Sequence, residues 1–225
     1  MCLSAARNRH EYFMKISAFI FDFGNVICSF DAGLIVARTQ RYSSLPADEL
    51  LAALRGAHPI MRDYETGLLT SDEFFKRMCS ACRLSVRKED FVAAYTRIFQ
   101  PIESTYSLIR ELKPHYKLGL LSNTNEWHFE YGIKTVEVFP LFDTVTLSYE
   151  VKAMKPAREI YDDALRKLGV PPAECVYIDD LEENVLAAQE LGMQGFLFRT
   201  GDALRESLKH LGARISSSSD VRGRT

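Results

Sequence analysis

The sequence predicts an α/β protein: a parallel sheet wrapped by helices, with a block of helices inserted between its first two strands. Three observations carry that expectation. A nearly all-apolar run over 16–22 stops abruptly in a carboxylate, Asp22, as a strand buried on both faces does where it leaves its sheet. From residue 101 onward short apolar runs alternate with helical stretches, the order that builds a parallel sheet covered on both sides. Between the two, from 32 to 100, the periodicity is helical and no convincing strand is found.

Taken in order, residues 1–13 are polar and aperiodic, and are expected to be an upstream start or a disordered extension. After the first strand the chain turns through Gly24 and Asn25. Asp31 then offers an N-cap for the first inserted helix, its alternative being a catalytic acid. Thr70 and Glu73 have the spacing of a capping box, and Phe74, Phe75, Met78, Cys79 and Cys82 follow as an apolar stripe. A helix over 104–113 leads to a strand over 116–121, then to a helix around Trp127 and a short strand at 144–147. Pro156 opens a helix that Gly169 stops after Leu168. A strand over 174–178, a helix over 181–191 stopped by Gly192, and a strand over 195–198 complete the pattern. The tail from Ser216 has the composition of a disordered end. The expected organisation is a core of 14–31 and 101–215, a helical insertion of 32–100, and disordered ends at 1–13 and 216–225.

Composition narrows the function classes. At 225 residues the chain can bury about 70% of its unfolded surface and needs no staples. A net charge of −2 argues against a nucleic-acid partner. No apolar run approaches the roughly 20 residues of a membrane span. Five irregularly placed cysteines point to a reducing cytoplasm, not to a disulfide framework. Cys79 and Cys82 lie on an apolar stripe without a second pair, so core packing is expected over a zinc site.

Ligands bind beyond the carboxyl ends of strands in open parallel sheets. Polar residues gather at three such ends: Asp22, Ser122-Asn123-Thr124-Asn125, and Asp179-Asp180. Lys155-Pro156 follows the strand at 144–147. Carboxylates brought together repel unless a cation sits among them, and oxygen ligands suit Mg²⁺. Lys155 adds a positive charge for an anionic substrate.

In this order the residues resemble the four motifs of the haloacid dehalogenase-like hydrolase superfamily, over about 15–198, and the inserted block is similar to that family's helical cap. The resemblance implies a Rossmann-like core. It implies that Asp22 is the nucleophile, forming an aspartyl-phosphate that water hydrolyses. Ser122, with Asn123, would bind the transferring group, and Lys155 would neutralise nucleophile and phosphoryl charge. Mg²⁺ would be held by Asp22, the Gly24 backbone carbonyl and Asp180, with Asp179 behind them or as an alternative ligand.

The chain departs from the family at Gly24, where most phosphatases of this family carry a second aspartate. That aspartate protonates the leaving alcohol and activates water, which is worth about 10²–10⁴-fold. Asn25 stands where glycine is usual, and asparagine tolerates a left-handed turn. Either the leaving group needs no proton, as in 2-haloacid dehalogenation, or another group substitutes, or catalysis is weak and the protein binds. "FDFGNV", "LSNTN", "KPAREIY" and "DDLEEN" resemble the branch typified by bacterial α-D-glucose-1-phosphatase, which has the same Asp-x-Gly-Asn-Val. The phosphatase domain of soluble epoxide hydrolase is similar but keeps the second aspartate. The expected function is therefore Mg²⁺-dependent hydrolysis of a small phosphorylated metabolite such as a sugar phosphate. Lys152 replaces an expected glycine and is positioned to crowd or charge the pocket.

The remaining polar residues have plainer readings. His128 is open between a substrate contact and a structural hydrogen bond. His58, His115 and His210 are expected at the surface or in the insertion. Glu182 and Glu183 are expected as solvated charges on a first helical turn, and Asn184 as support for the Asp179-Asp180 loop. Arg38, Arg41, His58 and Tyr64 are candidates to face the substrate.

Overall fold

A computed structural model of the chain describes residues 15–215. The expectations for 1–13 and for 216–225 fall outside the described residues. The apolar run forms β1 (Ala18–Phe21), every residue of which is buried. A tight turn leads into β2 (Cys28–Phe30) and then into α1 (Gly33–Thr39), α2 (Ala47–Gly56), α3 (His58–Glu65), α4 (Ser71–Ala81) and α5 (Lys88–Thr96). The chain returns through β3 (Phe99–Pro101) to α6 (Glu103–Leu112), β4 (Lys117–Ser122) and α7 (Glu126–Tyr131). Then come β5 (Thr144–Leu147), α8 (Ser148–Val151), α9 (Arg158–Leu168), β6 (Cys175–Asp179), α10 (Glu182–Glu190), β7 (Gln194–Leu197) and α11 (Gly201–His210).

Five strands form one parallel sheet in the order β5-β4-β1-β6-β7. The chain runs from β1 outward to β5, then jumps back over β1 to β6. The strand order therefore reverses beside β1, which is where such sheets open a crevice. Alternation along the central strands sends Phe19, Phe21, Leu120, Val176 and Ile178 to one face, against α6 and α11. Ala18, Ile20, Leu121, Cys175 and Tyr177 go to the other, against α9 and α10. Both faces are dry, which is why these strands read as continuous apolar runs. Gly119 lets α9 lie close: a Cβ there would stand 3.1 Å from Leu168.

The helices between β2 and β3 have their own apolar cluster of Leu50, Leu54, Tyr64, Phe74, Met78, Cys82, Phe91 and Tyr95. The Thr70 capping box forms as the spacing predicts, with both reciprocal bonds to Glu73. Trp127 of α7 inserts into this cluster, edge-on to Tyr64 at 5.8 Å and to Phe74 at 5.8 Å. One aromatic ring thus joins the helical block to the sheet layer.

Three features depart from the sequence reading. β2 and β3 pair antiparallel as a two-stranded ribbon where no strand was predicted near residue 100. Three residues are too short for alternation to be visible, and each strand exists only through the other. Pro156 does not open α9; Ala157 is its N-cap and Arg158 its first residue. The terminal helix α11 was not predicted; it packs on α6, where Arg205 pairs with Glu111 at 2.7 Å.

Candidate active site

Register brings the site together. Phe21 is level with Ile178 of β6 and Leu120 of β4, so the next residues, Asp22, Asp179 and Leu121, emerge side by side. The Asp22 N–H still donates to the Ile178 carbonyl at 2.9 Å, holding its backbone in the ladder. Asp22 is 7% exposed and Asp179 fully buried. The Lys155 Nζ lies between them, 2.7 Å from Asp22 Oδ1 and 2.8 Å from Asp179 Oδ2. It also donates to the Leu121 carbonyl at 3.3 Å. The Phe23 N–H adds a 2.7 Å bond to Asp22 Oδ1, so Oδ1 is held twice while Oδ2 has no hydrogen-bond donor among the described residues.

Asp179 is crowded with donors. Besides Lys155 it accepts from the Leu181 N–H at 2.9 Å, from the Asn184 amide at 3.0 and 3.1 Å, and from the Tyr177 hydroxyl. Asn184 thus supports the loop as expected, and the Tyr161 hydroxyl fixes Asn184 through its carbonyl at 2.9 Å. Tyr177 was missed by sequence reasoning, although it sits two residues before Asp179 and must share its face. Glu182 and Glu183 are exposed on the first turn of α10.

The charges set one another. Burial raises the Asp22 pKa, Lys155 opposes that shift, and Asp179 adds to it, leaving it at about 7. Burial alone would lower the Lys155 pKa, but the two carboxylates outweigh it and hold the ammonium above its usual value. Asp179 is also desolvated, yet Lys155 and its hydrogen bonds keep it below the ordinary carboxylate range.

The turn after β1 serves the third carboxylate. Asn25 adopts φ 54°, in the left-handed region, and its amide donates to Asp180 Oδ2 at 3.0 Å. Carboxylate oxygens of Asp22, Asp179 and Asp180 lie within 4.8 Å of one another. The Gly24 carbonyl accepts no hydrogen bond among the described residues. Three carboxylates against one ammonium, beside a free carbonyl, form an oxygen-rich and net-negative donor set that fits Mg²⁺.

Ser122, 3% exposed, ends β4 with its hydroxyl only 3.5 Å from the nearest acceptor, the Asn123 carbonyl, too far for a good bond. Asn123 is differently engaged. Its side-chain Oδ1 accepts from the Lys155 N–H at 2.8 Å, and its Nδ2 donates to the Lys155 carbonyl at 3.1 Å. The side chain expected to bind phosphate therefore grips the backbone of the lysine.

Two cavities flank this crevice. A cleft of about 830 Å³ is lined by Lys155, Lys152, His58 and Arg62 among others. A smaller cavity of about 190 Å³ is walled by Gly24, Ser122 and apolar side chains including Phe23, Met61 and Phe99. Asn123 and Glu65 line both.

The other candidates disperse. Lys152, left-handed at φ 64°, sends its ammonium to the Gly67 carbonyl at 2.7 Å in the turn after α3. Asp31 is not the N-cap expected of it: Ala32 holds that position, and the Asp31 carboxylate, one residue earlier, accepts from the Gly33 N–H at 2.8 Å. His128 has both ring nitrogens engaged, by Asn125 at 3.2 Å and the Tyr95 carbonyl at 3.1 Å. Burial pushes its pKa down to about 4, so the ring is neutral, although it borders the smaller cavity. Arg38 reaches the Arg97 carbonyl, Arg41 stacks on Tyr42, and Tyr64 is buried against Ser71 and Trp127. Of the four residues expected to face substrate, only His58 lines the cleft. The described cysteines are unpaired thiols, with Cys82 in the helical core.

The chain is similar to known proteins. The sequence pattern of the haloacid dehalogenase-like hydrolases matches residues 16–192. The D-ribitol-5-phosphate phosphatase of Bacteroides thetaiotaomicron is 30% identical over 200 residues, covering 86% of this chain and 97% of its own. A haloacid dehalogenase family enzyme from the same organism, solved with magnesium and inorganic phosphate, aligns with a TM-score of 0.72. It is 26% identical and covers 83% of this chain and 96% of its own. Rat bifunctional epoxide hydrolase 2 is 25% identical over 225 residues, which cover 90% of this chain but 40% of that protein.

Proposed function

This chain belongs to the haloacid dehalogenase-like hydrolases, and we propose that within them it is a Mg²⁺-dependent phosphomonoesterase acting on a small phosphorylated metabolite through Asp22. The observation that carries the reading is the buried lysine held between Asp22 and Asp179 at the sheet's switch point. Its relation to a sugar-alcohol phosphatase supports a sugar- or polyol-phosphate substrate.

Asp22 attacks phosphorus, the ester oxygen leaves, and water then cleaves the aspartyl-phosphate. The two bonds to Asp22 Oδ1 fix its rotamer, so the carboxylate meets the phosphoryl group already oriented. Lys155 stays charged throughout, and its ammonium offsets charge gathering on the transferring oxygens. Ser122 presents a hydroxyl not otherwise bonded to one of those oxygens. Asn123 acts on Lys155 by clamping its backbone, and Asp179 by orienting its ammonium. Asp22, Asp180 and the Gly24 carbonyl would hold Mg²⁺, which when bound neutralises the carboxylates and polarises the phosphoryl group. In this reading residues 32–100 are a cap over a core of 14–31 and 101–215, and the cleft's Arg62, Lys152 and Lys155 draw in the anionic substrate. No helix among the described residues is long and apolar enough to cross a membrane. The free thiols support a reducing, cytoplasmic setting.

The test is phosphate release from p-nitrophenyl phosphate and a panel of sugar and polyol phosphates, with Mg²⁺ or with EDTA, beside Asp22→Asn. Release that needs Mg²⁺ and vanishes in the variant is expected. Full turnover by Asp22→Asn removes the covalent mechanism. Halide release from 2-haloacids without any phosphate release would favour the dehalogenase alternative.

A further inference from the structure

A phosphomonoesterase with glycine at position 24 needs its proton from elsewhere. Asp31 is turned to the Gly33 N–H, Asn25 holds Asp180, and His128 has both nitrogens engaged. Among the described residues lining the smaller cavity, which Gly24 and Ser122 also line, one is acidic: Glu65, the last residue of α3. It also borders the wider cleft, where Lys155 lies.

Its position is fixed by the backbone. The Ser148 hydroxyl accepts from the Thr124 N–H at 2.9 Å and stands 2.6 Å from the Glu65 carbonyl, so Glu65 is tied to the segment two residues past Ser122. Lys152 holds the same turn through Gly67 at 2.7 Å. Yet the Glu65 carboxylate has no hydrogen bond or ion pair among the described residues. A half-buried carboxyl group, anchored by its main chain and unpartnered at its tip among the described residues, lines the cavity that Gly24 also lines.

From this placement we infer that Glu65 supplies the proton to the leaving alcohol and then serves as base for the attacking water, replacing the side chain missing at position 24. The inference rests on the phosphatase reading. In the first step an Asp22 oxygen bonds to phosphorus, the phosphorus–ester bond breaks, and the ester oxygen takes the Glu65 proton to leave as alcohol. In the second, water gives a proton to the Glu65 carboxylate and its oxygen to phosphorus. The acyl-phosphate bond breaks, freeing inorganic phosphate, Asp22 and protonated Glu65.

Protonation favours this role. Burial raises the Glu65 pKa to about 7, so much of the group carries its proton near neutrality. The charged and titratable groups that line the two cavities with it are His58, Arg62, Lys152, Lys155, Glu159 and Glu183 in the cleft, and Tyr95 and His128 in the smaller cavity. Tyr95 stays neutral, its pKa raised by burial and then by Glu65 itself. His128 is neutral as well.

The experiment compares an alkyl ester, ribitol 5-phosphate, with an aryl ester, p-nitrophenyl phosphate, whose leaving group needs little protonation. Read as kcat/KM, which reports formation of the aspartyl-phosphate and not its hydrolysis, Glu65→Gln should slow the alkyl ester about 10²–10⁴-fold and leave the aryl ester within about tenfold. Adding Gly24→Asp to Glu65→Gln should restore the alkyl rate. In the wild type, the alkyl-to-aryl rate ratio should fall about tenfold per pH unit above about 7, a readout that needs no variant and in which the shared Asp22 step cancels. A pH-independent ratio, unchanged alkyl turnover in Glu65→Gln, or equal loss of both substrates overturns the assignment. If the wild type releases phosphate from neither ester, the phosphatase reading falls first and this one with it. Aryl activity lost in Asp22→Asn alongside a flat ratio would overturn Glu65 alone.

Discussion

Replacing Lys155 with methionine isolates what its charge contributes, because the side chain stays long and unbranched while Nζ is lost. That atom lies 2.7 Å from Asp22 and 2.8 Å from Asp179, and both carboxylates are buried. Removing one partner of a buried ion pair costs about 3–5 kcal/mol, because the remaining charge is left uncompensated. The two acids are not equally exposed to that loss. Asp179 keeps the Tyr177 hydroxyl, the Leu181 N–H and the Asn184 amide, whereas Asp22 keeps one bond, from the Phe23 N–H. Asp22 therefore takes up a proton.

The sign follows from linkage. The folded-state pKa of Asp22 is already raised, from 3.8 to about 7, so its contribution to stability is present below 3.8 and lost as pH rises through 7. Without Lys155 that pKa moves higher, and the loss extends further up the pH scale by about 1.4 kcal/mol per unit. Urea unfolding in EDTA at pH 5 and pH 8 reads this directly. The difference between wild type and Lys155→Met should grow toward pH 8, and groups such as Glu65 and His128 cancel in the comparison. A difference that stays constant with pH, or below about 1 kcal/mol at pH 8, would show that the ammonium does not hold the carboxylates.

Two further outcomes follow from the same geometry. Asp22→Asn, inactive as an enzyme, should be more stable than wild type at pH 8 in EDTA, since it removes a carboxylate whose raised pKa opposes folding there; Mg²⁺ should stabilise the wild type more than this variant, as paired urea titrations would read. Gly24→Asp should fold, because a Cβ at Gly24 meets only the half-exposed Phe30 ring at 3.5 Å and the backbone there is not left-handed. It should raise turnover of alkyl phosphates more than of aryl ones, and an equal effect on both would show that leaving-group protonation is not what position 24 lacks.

The sheet was legible because its strands are buried on both faces. Runs such as FIF before Asp22 and VYI before Asp179 announce themselves and end where the register aligns them. The Thr70 cap was legible because its chemistry is local. The β2–β3 ribbon was not, since its three-residue strands are defined by partners about 70 residues away. Asn123 was legible as a polar residue at a strand end, but not as the clamp on Lys155, which depends on a contact 32 residues distant. Lys152 looked like a mismatch until the turn after α3 came within reach of its ammonium. Glu65 carried no signal, because an acid ending an amphipathic helix reads as solvated unless the tertiary structure encloses it.

Moving the proton donor from the strand end to the helical block changes what catalysis requires. An aspartate at position 24 would stand beside Asp22 wherever the block lay. Glu65 is correctly placed only while the turn after α3 is seated on α8. Gly67 makes that seating close: it has φ 65°, and a Cβ there would stand 2.2 Å from the Tyr149 carbonyl. Lys152 completes the contact from a left-handed conformation that costs a non-glycine residue about 1–2 kcal/mol. Lys152→Gly should relieve that strain while removing the bond to Gly67, two opposing effects of similar size, so the unfolding midpoint should move little. The seating of Glu65 has no such compensation. Alkyl-ester turnover should therefore fall by more than aryl-ester turnover in this variant, and an unchanged ratio of the two would mean that the turn holds its place without Lys152.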